Sequence, residues 1–409
     1  MKSRRSTGGA ARPRTNGAAR WSALPAALYV HLPFCKACCR YCDFARETYS
    51  PARAAMYLRA LETELRARAA GLAPRTIYLG GGTPTSLSYE ELRELLALLQ
   101  RHLDFSRAEE WTCEANPGTV DAAKLELLRS AGVNRLSLGV QSFQPRLLKL
   151  LGRIHDAAQA RESFALARAA GFRNLSLDLM HSIPTQTREE LDRDLDAALA
   201  LDPEHLSAYG LTLEPETALA EAVARGELAE LPEEEAAVQY HQVRERLARA
   251  GLLQYEISNY AKVHFECRHN LGYWRNEPYL GLGPAAAGFL AGERTVNERK
   301  LDQYCAALER FGRRGEARVP RTPWPWVAER ERLEPEAAAR EALILELRLR
   351  AGVEPSEFQR RWGLDLEKRF AAELARFAQL GMMERTATGR RRLTDRALHV
   401  SNEVLRELV

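Results

Sequence analysis

Short apolar segments alternate with amphipathic segments between residue 25 and about residue 260. In the amphipathic segments the apolar side chains recur every three or four residues, which is the period of an α-helix, whereas short apolar segments are typical of buried β-strands. The predicted strands are residues 27–34, 76–80, 110–115, 135–141, 175–180 and 205–213. The predicted helices lie near residues 53–70, 88–102, 121–131, 156–170, 187–200 and 233–250.

Residues that favour helix termini support this assignment. Ser88, Asp121 and Thr187 precede helical segments, and Glu190 follows Thr187 at the spacing of a capping box. Glycine commonly ends a helix in a left-handed conformation, and three of the helices are followed by one: Gly132, Gly171 and Gly251.

Six consecutive strand–helix units predict an α/β fold with a parallel sheet that helices cover. Right-handed connections wind such a sheet either as an open doubly wound sheet or as a full or partial barrel, and the periodicity does not choose between these. Both arrangements place the chemistry at the C-terminal ends of the strands.

The pattern changes after residue 260. Residues 262–300 are rich in Gly, Asn and aromatic side chains, 317–326 is a Pro/Trp-rich linker, and 335–409 contains helical segments, a hairpin at 382–394 and a final helix. Helices followed by a hairpin predict a mainly helical, winged-helix-like C-terminal domain. We expect it to pack against the main domain and not to bind DNA, because its basic residues alternate with acidic ones. The predicted domains are a disordered basic tail (1–24), an α/β barrel domain (25–262), a connecting segment (263–326) and the C-terminal domain (327–409).

The charge distribution argues against a general nucleic-acid binder. The 409 residues include 59 Lys plus Arg and 55 Asp plus Glu, and the formal net charge is +4. Six of the basic residues lie in the first twenty positions, which contain no acid. Charge over the rest of the chain is therefore nearly balanced, and we interpret the basic tail as a solubilising segment. No apolar run approaches the roughly 18 residues of a membrane span, and no signal peptide is evident, so we expect a cytoplasmic protein.

The seven cysteines are unevenly distributed. Four of them, Cys35, Cys38, Cys39 and Cys42, fall within eight residues, which indicates a metal site in a reducing compartment. Cys35, Cys39 and Cys42 have the spacing Cys-x3-Cys-x2-Cys, with which three thiolates on one loop can bind three corners of a cubane iron–sulfur cluster. A structural zinc site would need a fourth ligand, and a chance cluster is the other alternative. Cys38 does not fit the spacing and is interpreted as a non-ligand.

This motif resembles that of the radical S-adenosylmethionine (SAM) superfamily, whose partial (β/α)6 barrel agrees with the six predicted units. The flanking sequences are similar to the coproporphyrinogen III dehydrogenase-like branch. The similar segments are residues 28–35, 42–44, 78–85, 139–143 and 255–260. The resemblance implies a [4Fe–4S] cluster on Cys35, Cys39 and Cys42, with SAM on the open iron.

Several residues at predicted strand ends fit a SAM site. Glycines after the second strand allow close approach of a ligand, and polar side chains end the next three strands at Glu114, Gln141 and Asp178. Each has an ordinary structural alternative, as a tight turn or a hydrogen-bonded polar group in a loop. The resemblance implies that Tyr29 lies beside the cluster and that Gly210 is a further contact. It also implies SAM contacts from Gly81, Gly82, Thr83, Glu114, Gln141, Arg153 and Asp178.

Two functions remain within the branch. One is an enzyme, the oxygen-independent coproporphyrinogen III dehydrogenase, and the other is a heme chaperone that transfers heme to an acceptor protein. The dehydrogenase pattern has a further cysteine where this chain has Phe44, and residues 269–274, His-Asn-Leu-Gly-Tyr-Trp, match the His-Asn-x-x-Tyr-Trp motif of the chaperone type. The sequence therefore favours the chaperone, with His269 as a heme ligand; the alternative is an aromatic plug in which His269 is only hydrogen-bonded.

The resemblance also implies partners, and the chain differs from the family pattern at three places. We expect a heme acceptor such as a respiratory enzyme, an electron donor such as a flavodoxin or ferredoxin, and no nucleic acid. Arg40 stands where proline is common, residues 181–185 differ from the usual Phe-Gly-Leu-Pro-Gly, and Ala287 replaces a frequent histidine. The first two departures lie beside the predicted cluster and SAM site and put SAM cleavage in question.

Overall fold

The computed structural model describes residues 25–313 and 324–408. In this part of the chain the strands are β1 Ala27–Leu32, β2 Phe34–Cys35, β3 Glu47–Thr48, β4 Thr76–Gly81, β5 Glu110–Ala115, β6 Arg135–Gln141, β7 Leu175–His181, β8 His205–Gly210, β9 Leu253–Gln254, β10 Asn259–Ala261, β11 Tyr279–Leu282, β12 Ala287–Leu290, β13 Glu293–Asn297, β14 Val327–Arg332, β15 Met383–Arg385 and β16 Arg391–Leu393. The helices are α1 Pro51–Arg68, α2 Tyr89–His102, α3 Ala122–Ala131, α4 Pro145–Leu151, α5 Ala157–Ala169, α6 Arg188–Leu199, α7 Ala218–Ala224, α8 Glu233–Arg249, α9 Arg268–Trp274, α10 Leu301–Arg313, α11 Pro335–Glu346, α12 Pro355–Trp362, α13 Leu366–Arg369, α14 Ala371–Gln379 and α15 Ser401–Arg406.

The predicted six-unit partial barrel is confirmed. Strands β1, β4, β5, β6, β7 and β8 are neighbours in this order, and every pair is parallel. The sheet has twelve strands in all and stays open, since β14 and β9 form its two edges. The C-terminal ends of the six parallel strands therefore meet at one mouth of the curved sheet.

Apolar and polar residues alternate along the strands, so that the apolar core lies on one face of the sheet and the barrel interior on the other. In β6 the side chains of Leu136, Leu138 and Val140 are fully buried in the apolar core, on the side that helices cover. Arg135, Ser137 and Gln141 alternate with them and point to the other face, because successive side chains of a strand point in opposite directions. The outer layer therefore stabilises the fold, while a polar inner face is available to form a site.

The predicted helix caps are present. Ser88 and Thr187 each form a complete capping box with the glutamate three residues later, and the Asp121 side chain accepts from the Lys124 amide. Gly132 ends α3 in the left-handed conformation, with φ of 108°. These local signals agree with the packing of the helices, which explains why the helix bounds were predicted closely.

The predicted connecting segment also contributes strands to the main sheet. β11 pairs in parallel with β1, and β12, β13 and β14 follow it in antiparallel order. A buried carboxylate holds this segment in place, because Glu64 of α1 accepts hydrogen bonds from five donors: Arg68, the Gly283 amide, Asn297, Tyr304 and Trp326. The predicted boundary at residue 262 is thus crossed by hydrogen bonds within one sheet.

The C-terminal region is mainly helical, as predicted. Helices α11 to α14 are followed by the antiparallel hairpin β15–β16 and by α15, and these elements share an apolar core of their own. Tyr240 of α8 belongs to that core, so the C-terminal region packs on the barrel domain. The predicted tail, residues 1–24, and most of the predicted linker lie outside the described residues. In the part of the chain that is described, no helix combines the length and apolar character needed to cross a membrane.

Candidate functional site

The polar inner face of the barrel borders a cavity of about 480 Å³. The cavity begins at the C-terminal ends of β4, β6 and β8, at Gly81, Gln141 and Gly210, and continues inward as far as Arg135, the first residue of β6. Nearly all residues predicted to contact SAM line this one cavity: Gly81, Gly82, Thr83, Glu114, Gln141, Arg153, Asp178 and Gly210. The structure thus brings together residues from five strands and two loops, as convergence of strand ends requires.

Three of the four clustered cysteines border the same cavity. They are Cys35, Cys39 and Cys42, whereas Cys38 is exposed and does not line it. Cys35 is on the short strand β2, which pairs in parallel with β3. The two ends of the cysteine loop, at β2 and β3, are therefore next to each other. Cys38 does not border the cavity, and its interpretation as a non-ligand stays a prediction.

The donor set fits a cubane cluster better than a single metal ion. Among the described residues, no group of three or more His, Cys, Asp or Glu side chains converges on one ion position. In a cubane each thiolate binds a different iron, so three thiols on one wall of a cavity do not need to meet at a point. Burial raises the pKa of the Cys35 thiol to about 11, and that proton would be displaced on metal binding.

Two glycines let the end of β4 approach the strand that carries Cys35. The Gly82 amide donates to the Leu32 carbonyl, and the Thr83 amide donates to the Phe34 carbonyl, both at 2.7 Å. A Cβ on Gly82 would lie 2.7 Å from both of those carbonyl oxygens, which is closer than non-bonded atoms approach. Gly81 has φ of 103°, and a Cβ there would overlap the His31 ring at 2.4 Å. Gly81 and Gly82 therefore allow the end of β4 to pack closely against the strand from which the cysteine loop begins.

Arg153 contacts a cysteine of the loop. Its guanidinium donates to Cys39 Sγ at 3.2 Å, to Asn116 Oδ1 at 2.6 Å and to the Gly139 carbonyl. The same Asn116 donates to Thr83 Oγ1 at 2.7 Å, and Thr83 Oγ1 lies 3.7 Å from Cys35 Sγ. Polar contacts thus link two of the three thiols to the barrel, and a guanidinium near a thiolate stabilises its negative charge.

The acidic residues are buried and hydrogen-bonded. Glu114 accepts from the Tyr78 hydroxyl at 2.7 Å and from the Gly81 amide at 3.2 Å, and burial raises its pKa to about 7. Asp178 accepts from Ser137 at 3.0 Å, and burial raises its pKa as well. Both carboxyls face the cavity, where a ligand with a positive charge would favour their ionised forms.

The end of β6 has an uncommon backbone conformation. Gln141 has φ of 70°, and the pairing of β6 with β7 shifts register between Gly139 and Gln141. A residue with a β-carbon is rarely found in this region, and such strain is often retained at functional sites. Gln141 borders the cavity at this point.

Tyr29 does not line the main cavity. Its hydroxyl lies 3.1 Å from His31 Nδ1, and His31 Nε2 lies 2.7 Å from the Ala45 carbonyl, just beyond the cysteine loop. Tyr29 is therefore linked to the end of that loop through His31, and its ring borders a second cavity instead.

This second cavity has a volume of about 650 Å³ and is rich in aromatic side chains. It lies beside the main cavity, with which it shares Asp43, Phe44, Gly81 and Glu114. Residues Glu341 and Leu345 of α11 form part of its wall, so the C-terminal region completes it. Its aromatic and basic lining residues are Tyr29, His31, Phe44, Tyr273, Tyr279, Phe289, Arg294 and Arg299.

His269 lies in the interior, below the main cavity. Helix α9 closes the N-terminal end of the barrel, where the Arg268 and His269 amides both donate to Glu110, the first residue of β5. The ring of His269 is only 1% exposed; its Nδ1 lies 2.8 Å from Thr76 Oγ1 and its Nε2 lies 2.9 Å from the Tyr273 hydroxyl. The arrangement matches the aromatic plug, since both ring nitrogens already have partners. His269 as a heme ligand stays a prediction.

The sequence-based prediction missed two polar residues of this site. Arg135 reaches the inner end of the main cavity, and Asn116 joins Thr83 to Arg153. The alternation of polar and apolar residues along 135–141 was the available signal for Arg135, because it places Arg135 on the same face as Ser137 and Gln141. Asn116 follows β5 directly and had no comparable signal.

Known proteins have sequences similar to this chain. A family model described as the radical SAM superfamily matches residues 29–198, and one described as the HemN C-terminal domain matches residues 333–400. A Bacillus subtilis (strain 168) protein named heme chaperone HemW is 39% identical over 359 residues, which are 87% of this chain and 92% of that protein. An Escherichia coli (strain K12) protein of the same name is 41% identical over 269 residues, 64% of this chain and 70% of that protein.

A solved structure supports the fold. Coproporphyrinogen III oxidase (HemN) from E. coli, described as a radical SAM enzyme, has a TM-score of 0.79 and is 24% identical; the match covers 94% of this chain and 90% of that chain. The B. subtilis relative is matched over most of its length at a much higher identity. The chain therefore belongs to the HemW family within the radical SAM superfamily.

Proposed function

We propose that the protein is a heme chaperone, which binds a [4Fe–4S] cluster, SAM and heme and transfers the heme to an acceptor protein. One observation carries the proposal, namely the 39% identity to a protein named heme chaperone HemW over 92% of that protein. A match of 359 residues in a chain of 409 necessarily includes residues 269–274, the His-Asn-Leu-Gly-Tyr-Trp motif. Phe44 stands where the dehydrogenase type has a further cysteine, and its side chain is 63% exposed at the border of both cavities.

Membership of the radical SAM superfamily means that a [4Fe–4S] cluster and SAM are cofactors. We infer that Cys35, Cys39 and Cys42 hold the cluster and that the residues lining the main cavity hold SAM. When both are bound, the reduced cluster can supply one electron to the sulfonium of SAM. Arg153 stabilises negative charge on the Cys39 sulfur through its hydrogen bond, and Glu114 and Asp178 attract the positively charged groups of SAM.

The second cavity supports a heme site beside the cluster. Its aromatic walls suit the face of a porphyrin, and Arg299, whose guanidinium donates to the Asp43 carbonyl, is an exposed cation that can bind a propionate. Tyr273 of the motif lines this cavity, and its hydroxyl is hydrogen-bonded to His269. Because His269 Nε2 is hydrogen-bonded to the Tyr273 hydroxyl, His269 would hold heme iron through that nitrogen only if this hydrogen bond were broken.

The proposed transfer requires partners. An acceptor protein, such as a respiratory enzyme, receives the heme, and an electron donor such as a flavodoxin or ferredoxin reduces the cluster. None of the seven cysteines forms a disulfide in this structure, and a cluster of thiols suited to metal binding supports a reducing, cytoplasmic location.

The experiment that tests the function compares two activities in the same preparation. Anaerobically reconstituted protein is loaded with heme and mixed with an apo-form heme protein, and transfer is followed by the absorption spectrum of the acceptor. In parallel, the reduced protein is incubated with SAM and coproporphyrinogen III, and the decarboxylated product is sought. We expect heme transfer and no decarboxylation. Turnover of coproporphyrinogen III would favour the dehydrogenase, the alternative function within the branch.

A further inference from the structure

The loop that carries three of the four clustered cysteines has no regular secondary structure. Between β2, which ends at Cys35, and β3, which begins at Glu47, the chain forms neither a helix nor a strand. Its backbone carbonyls therefore cannot rely on helix or sheet hydrogen bonds and need other donors. The positions of the thiols depend on the groups that bind this loop from outside.

Arg46 supplies donors to two of these carbonyls. Its Nη2 donates to the Cys39 carbonyl at 2.9 Å and also to the Cys42 carbonyl. A terminal guanidinium nitrogen carries two N–H groups, so one nitrogen can serve both acceptors. Cys39 and Cys42 are both predicted cluster ligands, and the two hydrogen bonds fix the backbone at one of them relative to the other.

The guanidinium of Arg46 also lies beside thiols and borders the main cavity. Burial lowers the pKa of Arg46, but contacts with the side chains of Cys42 and Cys38 outweigh it, so the pKa is raised above its usual value. Arg153 contacts the sulfur of Cys39. Arg46 therefore provides at Cys42 a contact like the one that Arg153 provides at Cys39.

The peptide group that follows Cys39 is held on both sides. Its carbonyl accepts from Arg46, and its N–H, which belongs to Arg40, donates to the Leu151 carbonyl at 3.0 Å. Cys39 borders the cavity, whereas the adjacent Cys38 is exposed. The backbone around Cys39 has to turn before Cys38 can take its place, and that movement breaks both hydrogen bonds.

We propose that Arg46 is a positioning residue for the iron–sulfur cluster, which fixes the loop so that Cys39, and not Cys38, faces the cavity together with Cys42. This role rests on the proposed assignment of the cluster to Cys35, Cys39 and Cys42. Arg46 does not bind iron itself, because a guanidinium stays protonated and has no lone pair to offer. It orders the thiols before iron binds, so less conformational freedom is lost in the binding step.

The test compares the wild type with Arg46→Met and Arg46→Lys, each with and without Cys38→Ala. After anaerobic reconstitution, iron per chain and the rate of iron loss to a chelator are measured, and the unfolding midpoint of each apoprotein is recorded. The control is Arg129→Met. Arg129 is also half-buried and donates to a backbone carbonyl, that of Val133 at 3.1 Å, just beyond the end of α3.

We expect Arg46→Met to lose iron roughly tenfold to a hundredfold faster than the wild type, because two hydrogen bonds from a charged donor are removed. Cys38→Ala should leave the rate unchanged when Arg46 is present. In Arg46→Met it should accelerate the loss further, since Cys38 then replaces Cys39 in part of the molecules. Arg46→Lys keeps the charge but not the planar fork, so its rate should be intermediate. Arg129→Met should keep the wild-type rate.

A wild-type rate of iron loss in Arg46→Met would overturn the proposal. An effect of Cys38→Ala that is the same with and without Arg46 would also overturn it, because Arg46 would then not select between the two cysteines. If Arg46→Met does not fold, as its unfolding midpoint shows, the same comparison with Arg46→Lys decides the question.

Labelling of the apoprotein separates this role from the cluster assignment. A thiol reagent is applied under native conditions, and the modified cysteines are identified by peptide mass spectrometry. We expect Cys38 to react faster than Cys39 in the wild type and the two rates to become similar in Arg46→Met. A merely structural role would lower the unfolding midpoint without changing the ratio of the rates. If the wild type holds no iron, the cluster assignment fails, and an unchanged ratio would still overturn the role of Arg46.

Discussion

Replacement of Gly82 by alanine tests whether the end of β4 supports the cysteine loop. A Cβ at this position would lie 2.7 Å from the Leu32 and Phe34 carbonyl oxygens and 2.9 Å from the Phe34 amide nitrogen. All three are backbone atoms, so no side-chain rotation can relieve the overlap. The strand that carries Cys35 has to move away from the end of β4, and the hydrogen bonds of the Gly82 and Thr83 amides weaken with that movement.

The expected loss of stability follows from these contacts. Overpacking of a closed site costs about 1–3 kcal/mol, and two weakened backbone hydrogen bonds cost about 0.5–1.5 kcal/mol each. Gly82→Ala should therefore lower the free energy of unfolding by about 2–6 kcal/mol. The displacement affects Cys35 directly, so we also expect the variant to hold less than the full cluster.

The assay combines denaturant unfolding of the apoprotein with iron and sulfide analysis after anaerobic reconstitution. Gly312→Ala is the matched control, because a Cβ there meets only Thr63 at 3.6 Å, an ordinary contact, at the end of α10. The control should be neutral or more stable by up to about 1 kcal/mol, with a full cluster. A Gly82→Ala variant with the unfolding midpoint and iron content of the wild type would refute the reasoning.

Three further predictions concern the same site. Cys38→Ala should keep the iron of a reconstituted cluster and Cys39→Ala should lose it; equal loss in both variants would contradict the ligand assignment. Affinity for SAM, measured by equilibrium dialysis, should rise between pH 6 and 8. The reason is that the Glu114 carboxyl, with a pKa of about 7, must lose its proton before it attracts a cation. If the affinity of Glu114→Gln for SAM rose equally over this pH range, Glu114 would not have this role. Arg153→Met should lower the reduction potential of the cluster, because a hydrogen bond to the Cys39 sulfur is removed. Arg153→Lys should lower the potential less, since a lysine can still donate to that sulfur. A potential that is unchanged in Arg153→Met, measured by redox titration, would show that Arg153 does not contact a cluster ligand.

Much of the barrel could be predicted because its signals are local. The bounds of β5 and β6 agree with the apolar pattern, and the helices begin at caps that the sequence shows. The cysteine spacing likewise identified three thiols that border one cavity and one that does not. Such features depend on residues a few positions apart, so they can be predicted from a single sequence.

The parts that were not predicted depend on contacts between distant residues. The strands after residue 275 are short, and Glu64 holds their segment through donors more than two hundred positions away, which no local pattern indicates. Arg153 was expected to approach SAM, but its contact with Cys39 joins residues 114 positions apart. The position of His269 depends in the same way on Thr76 and Glu110 of two strands far earlier in the chain.

A heme titration tests the central claim most directly. Anaerobically reconstituted protein is titrated with heme and the Soret absorption is followed, for the wild type, His269→Ala and the control His102→Ala, which changes a histidine on α2 far from α9 in the sequence. The chaperone function predicts saturable binding of one heme per chain, unchanged affinity in the control and weaker binding in His269→Ala. A wild-type protein that shows no saturable heme binding would contradict the function.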